Sequence, residues 1–412
     1  MNSAIRPLPA ELRLFCKVTL WATVAAWLLA FVAGRVGLKY PYDWPMMPVD
    51  AFHDYWDYFD RFVLLHKLTF FTAPGYPFTY LAPGVVLYES LYVFSEGGGL
   101  LVYMILIIVA LSFAFMRIRS EMLLRGFPKE LAKGLPIFIL VASYPILFCI
   151  QRGNLEILIA IGLALGTWAY WTGRTWTAAI VWGIFGSVKL YPLLLLAIFL
   201  SFGQYRQFFV SLLTAANTTF LSLFYIGPDL RTASAGISGS VDAFLKLYSL
   251  QIDYWIGFDH SLFALLKLNI HNVALPSLLH GYMITLAVVM LTLYFVRIRK
   301  LPVANQLLIL TVASILLPPT SWDYTLLQLY APFIILVFLV IDSAHKIPGL
   351  FPVFVLFGLI FTPTNFFFYS GHGASAQIKC LLLLGLMTIA LVYPFSSEGA
   401  NTLAETNLVA TG

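Results

Sequence analysis

Charge is what this sequence has least of. Only 10% of its 412 residues are Asp, Glu, Lys or Arg, against roughly a quarter in soluble domains. With a mean hydropathy of +0.87, a water-soluble fold has no way to hide so much apolar surface. Cysteine is scarce too. Cys16, Cys149 and Cys380 fall within or beside apolar runs, fit neither a metal site nor a disulfide framework, and read as small packing hydrophobes. No glycine-rich phosphate loop, nucleophile elbow or zinc-ligand spacing occurs, which argues against a soluble nucleotide as substrate. The first apolar run, Leu14 to Leu38, lacks a small-residue cleavage site and is too long for a signal-peptide core, so it reads as a retained span.

What is present is a series of runs approaching the roughly 20 apolar residues that cross a bilayer. They predict an all-α polytopic membrane protein, with one transmembrane domain over residues 1–395 and a disordered cytoplasmic tail over 396–412. The net charge of +5 is no sign of nucleic acid, because the basic residues cluster between runs. Arg6, Arg13 and Lys17 place the N-terminus in the cytoplasm, and Arg117, Arg119, Arg125, Lys129 and Lys133 mark the next cytoplasmic loop. Further spans are expected at about 100–116, 135–150, 157–170, 208–225, 282–295, 306–317, 326–341, 351–366 and 381–393. Residues 176–202 are expected to break near Lys189-Leu190-Tyr191-Pro192 into a re-entrant hairpin, since Pro192 removes a backbone donor. This makes about ten spans and two large extracytoplasmic regions, 39–99 and 226–280, with Lys379 in an outer loop. Composition points to a bacterial inner membrane.

The stretch from Pro48 to Pro83 is the one long acidic and aromatic segment, with Asp50, Asp54, Asp57 and Asp60. On a helix, Asp50, Asp54 and Asp57 share a face, as a reactive carboxylate cluster or as a solvated interfacial helix. Gly75 to Pro83 reads equally as an aromatic belt or as the wall of a groove for a sugar or isoprenoid. Arg152, Asn154, Glu156 and Lys189 are charged or amide groups at span ends or inside apolar runs, where such residues are costly and read either as functional candidates or, for the cations, as snorkelling to the headgroups or pairing with Glu156. Asp259-His260-Ser261 reads as a helix N-cap, and Ser321-Trp322-Asp323-Tyr324 as an interfacial turn.

In order, Asp54-Tyr55-Trp56-Asp57-Tyr58, Phe78 to Pro83, Gly153-Asn154-Leu155-Glu156, Lys189-Leu190-Tyr191-Pro192, His260-Ser261-Leu262 and Ser321-Trp322-Asp323-Tyr324 resemble glycosyltransferase family 87 over about residues 50–330. The family often has His after the Ser-Trp-acidic sequence and Tyr-Pro-Pro at the exit of the first loop. Here Tyr324-Thr325 and Tyr80-Leu81-Ala82-Pro83 stand instead. The resemblance implies a GT-C fold that transfers a sugar, typically mannose, from a polyprenyl-phosphate donor to a glycolipid or glycan acceptor outside the cell, with inversion. It implies a catalytic carboxylate in the first outer loop, Asp54 or its competitor Asp50. Arg152, Asn154, Glu156, Lys189, Tyr191, Tyr80, His260, Trp322 and Asp323 are the expected substrate-binding residues, with Arg152 and Lys189 on the leaving phosphate. No cofactor is implied, nor a metal, although related GT-C enzymes use one and the neighbouring aspartates leave that open. The expected partners are the lipid-linked donor, the acceptor and membrane lipids. The alternatives are a transferase for lipid-linked arabinose or glucose, and a transporter or lipid flippase, which would share broken helices and buried charges.

Overall fold

A computed structural model describes residues 9–37, 51–62, 79–141, 143–252, 254–343, 346–363 and 374–396. Asp50, residues 75–78 and the expected tail from 397 onward lie outside them. The described chain is helical, and its one bridge of extended backbone joins Asp259 to Trp322.

The helices run in chain order as α1 (Ala10–Arg35), α2 (His53–Phe62), α3 (Ala82–Tyr92), α4 (Glu96–Leu124), α5 (Lys129–Val141), α6 (Tyr144–Arg152), α7 (Glu156–Trp171) and α8 (Thr175–Val188). A 3-10 segment, Tyr191–Leu196, leads into α9 (Ala197–Ser201), then α10 (Tyr205–Ile226), α11 (Leu230–Phe244), α12 (Leu262–Asn269), α13 (Leu275–Val296) and α14 (Val303–Leu316). A second 3-10 segment, Asp323–Leu329, continues as α15 (Tyr330–Asp342), followed by α16 (Leu350–Ile360) and α17 (Ala374–Val392).

Among the described residues, six helices are long and apolar enough to cross a membrane, or seven if the bent pair Lys129–Leu140 and Tyr144–Arg152 is one span. The other expected crossings correspond to apolar helices of 10–17 residues. Of these, α14 is buried along its whole length, and its 14 residues reach only about 21 Å against a hydrocarbon core about 30 Å thick. Burial separates centre from rim. In the span Asp323–Asp342, 83% of the apolar window is buried inside the protein, against 6% in Leu275–Lys300, which turns its Val, Leu and Ile side chains outward.

Local chemistry accounts for several boundaries. The helix expected to stop at Met116 runs on to Leu124, because Arg117 pairs with Glu121 one turn later at 3.3 Å and Arg125 pairs with Glu121 at 2.5 Å. The break expected near Pro192 is present: α8 stops at Val188, Lys189 is extended, and both arms are short. The N-cap reading of Ser261 holds, its hydroxyl accepting from Ala264 N at 3.0 Å. Two expectations change. The acidic helix α2 starts only at His53, after Phe52 at φ 61°, so the helical face proposed for Asp50, Asp54 and Asp57 does not extend back through Phe52. Lys379 lies inside α17 and not in a loop, because a buried carboxylate, Asp323, compensates its charge there.

The bundle places α8 between α7 and α10. A Cβ on Gly183 would stand 2.6 Å from Ser211 O, so glycine sets the approach of α8 to α10. The Arg152 end of α6, the Glu156 end of α7, the Lys189 end of α8 and the start of the Asp323–Leu329 segment meet at one level of the bundle.

Candidate active site

The site begins with a chain reversal. Helix α6 ends in a Schellman motif, with Gly153 N donating to Ile150 O at 3.0 Å and Asn154 N to Cys149 O at 3.3 Å. Gly153 has φ 66°, and a Cβ there would stand 2.9 Å from Tyr55 Cβ and 3.0 Å from Phe52 Cα. Only glycine meets both demands. The reversal brings both Arg152 and Asn154 to Asp54 in α2, whose start is fixed by Phe52 N donating to Gln151 O at 2.6 Å. Tyr55 is the buried anchor of α2, packed on Tyr92 and Tyr103, and Tyr92 donates its hydroxyl to Tyr55 O at 2.7 Å.

Asp54 is thereby held at 8% exposure between two donors. Its Oδ1 accepts from Arg152 Nη2, and its Oδ2 accepts from Asn154 Nδ2 at 2.7 Å. Asn154 is the hinge of the network. Its Oδ1 accepts from Tyr80 OH at 2.7 Å and from Glu156 N at 2.9 Å, while its backbone carbonyl accepts from Tyr103 OH at 3.0 Å. Arg152 is 6% exposed, and its Nη1 is buried with no hydrogen-bond partner among the described residues.

A second ion pair stands beside the first. Glu156 is fully buried, and its carboxylate accepts from Lys189 Nζ, from Gln328 Nε2 at 2.9 Å and from Tyr191 OH at 3.3 Å. The Lys189 ammonium lies 4.5 Å from the Tyr80 ring centroid, 5.4 Å from Tyr191 and 5.3 Å from Tyr324. These faces stabilise a cation that burial alone would penalise.

Behind this pair, the Asp323–Leu329 segment carries a third cluster. Asp323 Oδ2 accepts from Lys379 Nζ and from Tyr144 OH at 2.5 Å, and Asp323 Oδ1 lies 3.2 Å from His260 Nδ1. His260 Nε2 lies 3.2 Å from Thr325 Oγ1 and 3.3 Å from Ser321 Oγ. Asp323, His260 and Lys379 are all fully buried. The neighbouring Asp259 accepts from Ser261 N at 3.1 Å and Ser321 N at 2.9 Å, which ties the 259–261 loop to the 321–323 turn. Burial pushes the Asp259 carboxyl upward, opposed by the Lys267 ammonium. Lys267 in turn donates to Tyr248 O at 2.7 Å and Gln251 O at 3.1 Å. Trp322 packs edge-on to Tyr248 at 4.9 Å and to Tyr324 at 5.8 Å.

The structure therefore brings Asp54, Arg152, Asn154, Tyr80, Glu156, Lys189 and Tyr191 into one network, with His260, Trp322 and Asp323 in an adjoining one. Asp50 lies outside the described residues. Sequence reasoning missed Gln328, Tyr144, Lys379 and Thr325. Gln328 and Lys379 carried a usable signal, being an amide and a cation inside apolar runs. Among the described residues no three His, Cys, Asp or Glu side chains converge to hold a metal ion.

A cavity of about 660 Å³ is walled in part by Ile157 and Leu327, the chain neighbours of Glu156 and Gln328. Its other lining residues include Ile146, Trp168, Phe338 and Arg117. Its wall on α7 runs from Ile157 to Trp168, roughly 16 Å along the helix axis.

The family model for glycosyltransferase family 87 matches residues 70–319. No curated protein and no solved structure matches the chain. The chain belongs to glycosyltransferase family 87, and with its apolar helices it is a multi-pass membrane glycosyltransferase.

Proposed function

We propose that this family 87 enzyme transfers a hexose, mannose in the first instance, from a polyprenyl-phosphate donor to an acceptor hydroxyl, with inversion and with Asp54 as general base. Transfer takes place at the extracytoplasmic face of a bacterial inner membrane, and the acceptor is a glycolipid or glycan. The acceptor oxygen attacks C1 of the sugar, its proton passes to an Asp54 oxygen, and the bond from C1 to the phosphate oxygen breaks with its electron pair staying on the phosphate.

The observation that carries this reading is the placement of Asp54. It is a carboxylate 8% exposed, oriented through both oxygens by Arg152 and Asn154, one residue pair away from a second buried ion pair. A positioned base of this kind contributes roughly 10²- to 10⁴-fold to rate. The growing charge on the leaving phosphate needs a cation already in place, which Arg152 and Lys189 supply. Tyr191 and Trp322, both partly exposed, offer ring surface for the sugar, while buried Tyr80 positions Asn154 through its hydroxyl. Asn154 and Glu156 hold the cations and the base, and His260 and Asp323 support Trp322 from behind. The apolar cavity beginning at Ile157 favours a donor that is lipid-linked, since a chain leaving the phosphate there stays out of water. Family membership sets aside the transporter reading. A donor bearing arabinose or glucose in place of mannose leaves the same chemistry intact.

The test is transfer by purified protein in lipid, supplied with radiolabelled polyprenyl-phosphate mannose and candidate acceptors. Release of polyprenyl phosphate is expected from the parent, and a loss of about 10²- to 10⁴-fold from Asp54→Asn. Parent-like turnover by Asp54→Asn would sink the assignment of the base, and no release from any lipid-linked sugar would sink the donor class.

A further inference from the structure

The two ion pairs differ in what each cation has left to give. Lys189 is engaged by Glu156 and ringed by Tyr80, Tyr191 and Tyr324. Arg152 uses Nη2 on Asp54, while Nη1, in the same rigid fork, is buried and unpartnered among the described residues. A planar guanidinium can hold two anions at once through different nitrogens, whereas an ammonium is a point charge. An orphaned N–H at 6% exposure is costly, and its cost is removed by an incoming acceptor oxygen.

We propose that Arg152 is handed from Asp54 to the donor phosphate during transfer, which couples acceptance of the acceptor's proton to departure of the lipid phosphate. This rests on the reading of Asp54 as base. The phosphate docks first on Nη1. As the acceptor oxygen bonds to C1, its proton neutralises Asp54, and the electron pair of the breaking C1–O bond stays on phosphate. The phosphate goes from one negative charge as a diester toward about two as a monoester at neutral pH. Asp54 loses its charge in the same step, so the Nη2 side of Arg152 is released when the phosphate gains charge. Glu156 keeps its charge throughout, so Lys189 is not released in this way. Arg152 is a catalytic residue in this scheme, and Asn154 keeps the neutral Asp54 in place through Nδ2.

The consequence is a transfer-dead variant that binds product more tightly than the parent. The experiment measures binding of farnesyl phosphate to the purified full-length protein in nanodiscs, with farnesol as the control for the chain alone. Asp54→Asn, which mimics the neutral base, is expected to bind farnesyl phosphate about tenfold tighter than the parent, the scale of one hydrogen bond to a charged group. Farnesol affinity stays the same. Adding Arg152→Gln to Asp54→Asn removes the gain, and this double variant leaves no unpaired buried charge that would keep it from folding. Adding Lys189→Gln,Glu156→Gln to Asp54→Asn preserves the gain. A dead Asp54→Asn protein with parent-like affinity overturns the hand-over alone, as does a gain that survives Arg152→Gln. An Asp54→Asn protein that still transfers overturns the base assignment and the hand-over together.

Discussion

The Asp54–Arg152 pair and the Asp323–Lys379 pair are both buried Asp–cation contacts in one protein, yet they are built differently. Asp323 is fully enclosed, its oxygens meet Lys379, Tyr144 and His260, and it anchors the most buried candidate span in the described chain. Asp54 keeps 8% exposure, stands on a ten-residue helix, and is paired with an arginine whose second terminal nitrogen has no hydrogen-bond partner among the described residues. A charge cluster in a low-dielectric interior must be almost completely satisfied to stabilise a fold. Among the described residues neither Asp323 nor Lys379 has a buried polar atom without a hydrogen-bond partner, whereas Arg152 Nη1 does, in reach of an incoming acceptor oxygen.

The sharpest way to break this comparison is to neutralise each pair in turn and read activity and stability separately. Asp54→Asn leaves Arg152 without its counter-charge but at a carboxylate site that keeps 8% exposure, so it is expected to lower the thermal midpoint by less than Lys379→Met does while removing transfer. Lys379→Met leaves Asp323 as an uncompensated buried charge and is expected to cost about 3–5 kcal/mol of stability, read as a large drop in midpoint by thermal unfolding in lipid. Lys379→Met combined with Asp323→Leu should recover much of that loss. If Lys379→Met kept the parent's midpoint and lost only turnover, the second cluster would belong to the chemistry and the contrast would collapse.

A smaller effect sharpens the same point from the backbone. Gly153→Ala forces a Cβ into the left-handed region and against Tyr55 and Phe52. It is expected to cost about 1–3 kcal/mol and to lower kcat more than midpoint, because the displaced helix is the one carrying Asp54. The smallest change lies on the other side: Ser261→Ala removes the cap of α12 and is expected to cost about 1 kcal/mol with kcat unchanged. A Ser261→Ala protein with strongly reduced kcat would show that the 259–261 loop reaches the substrate.

Much of the architecture was readable from the chain alone. Apolar run length announced a membrane helix bundle, Pro192 announced the break after Lys189, and Ser261 announced a helix start, because each depends on neighbours within a turn or two. The order of the polar motifs was enough to point to the family that the match over residues 70–319 shows. Even the polar residues that matter stood out individually, since Arg152, Glu156 and Lys189 are conspicuous in apolar surroundings.

Their pairing was not readable. Arg152 and Glu156, four residues apart, could have answered each other's charge. The reversal at Gly153 instead turns Arg152 toward Asp54, 98 positions away, and Glu156 toward Lys189 and toward Gln328, 172 positions away. The chain alone reads Lys379 as a loop residue, whereas in the fold Asp323 of the Asp323–Leu329 segment compensates its charge within α17. Composition, periodicity and turn chemistry are local, so they specify which elements form and which residues are out of place. Which charge meets which depends on how helices far apart in the chain pack, and that alone leaves one nitrogen of Arg152 open among the described residues.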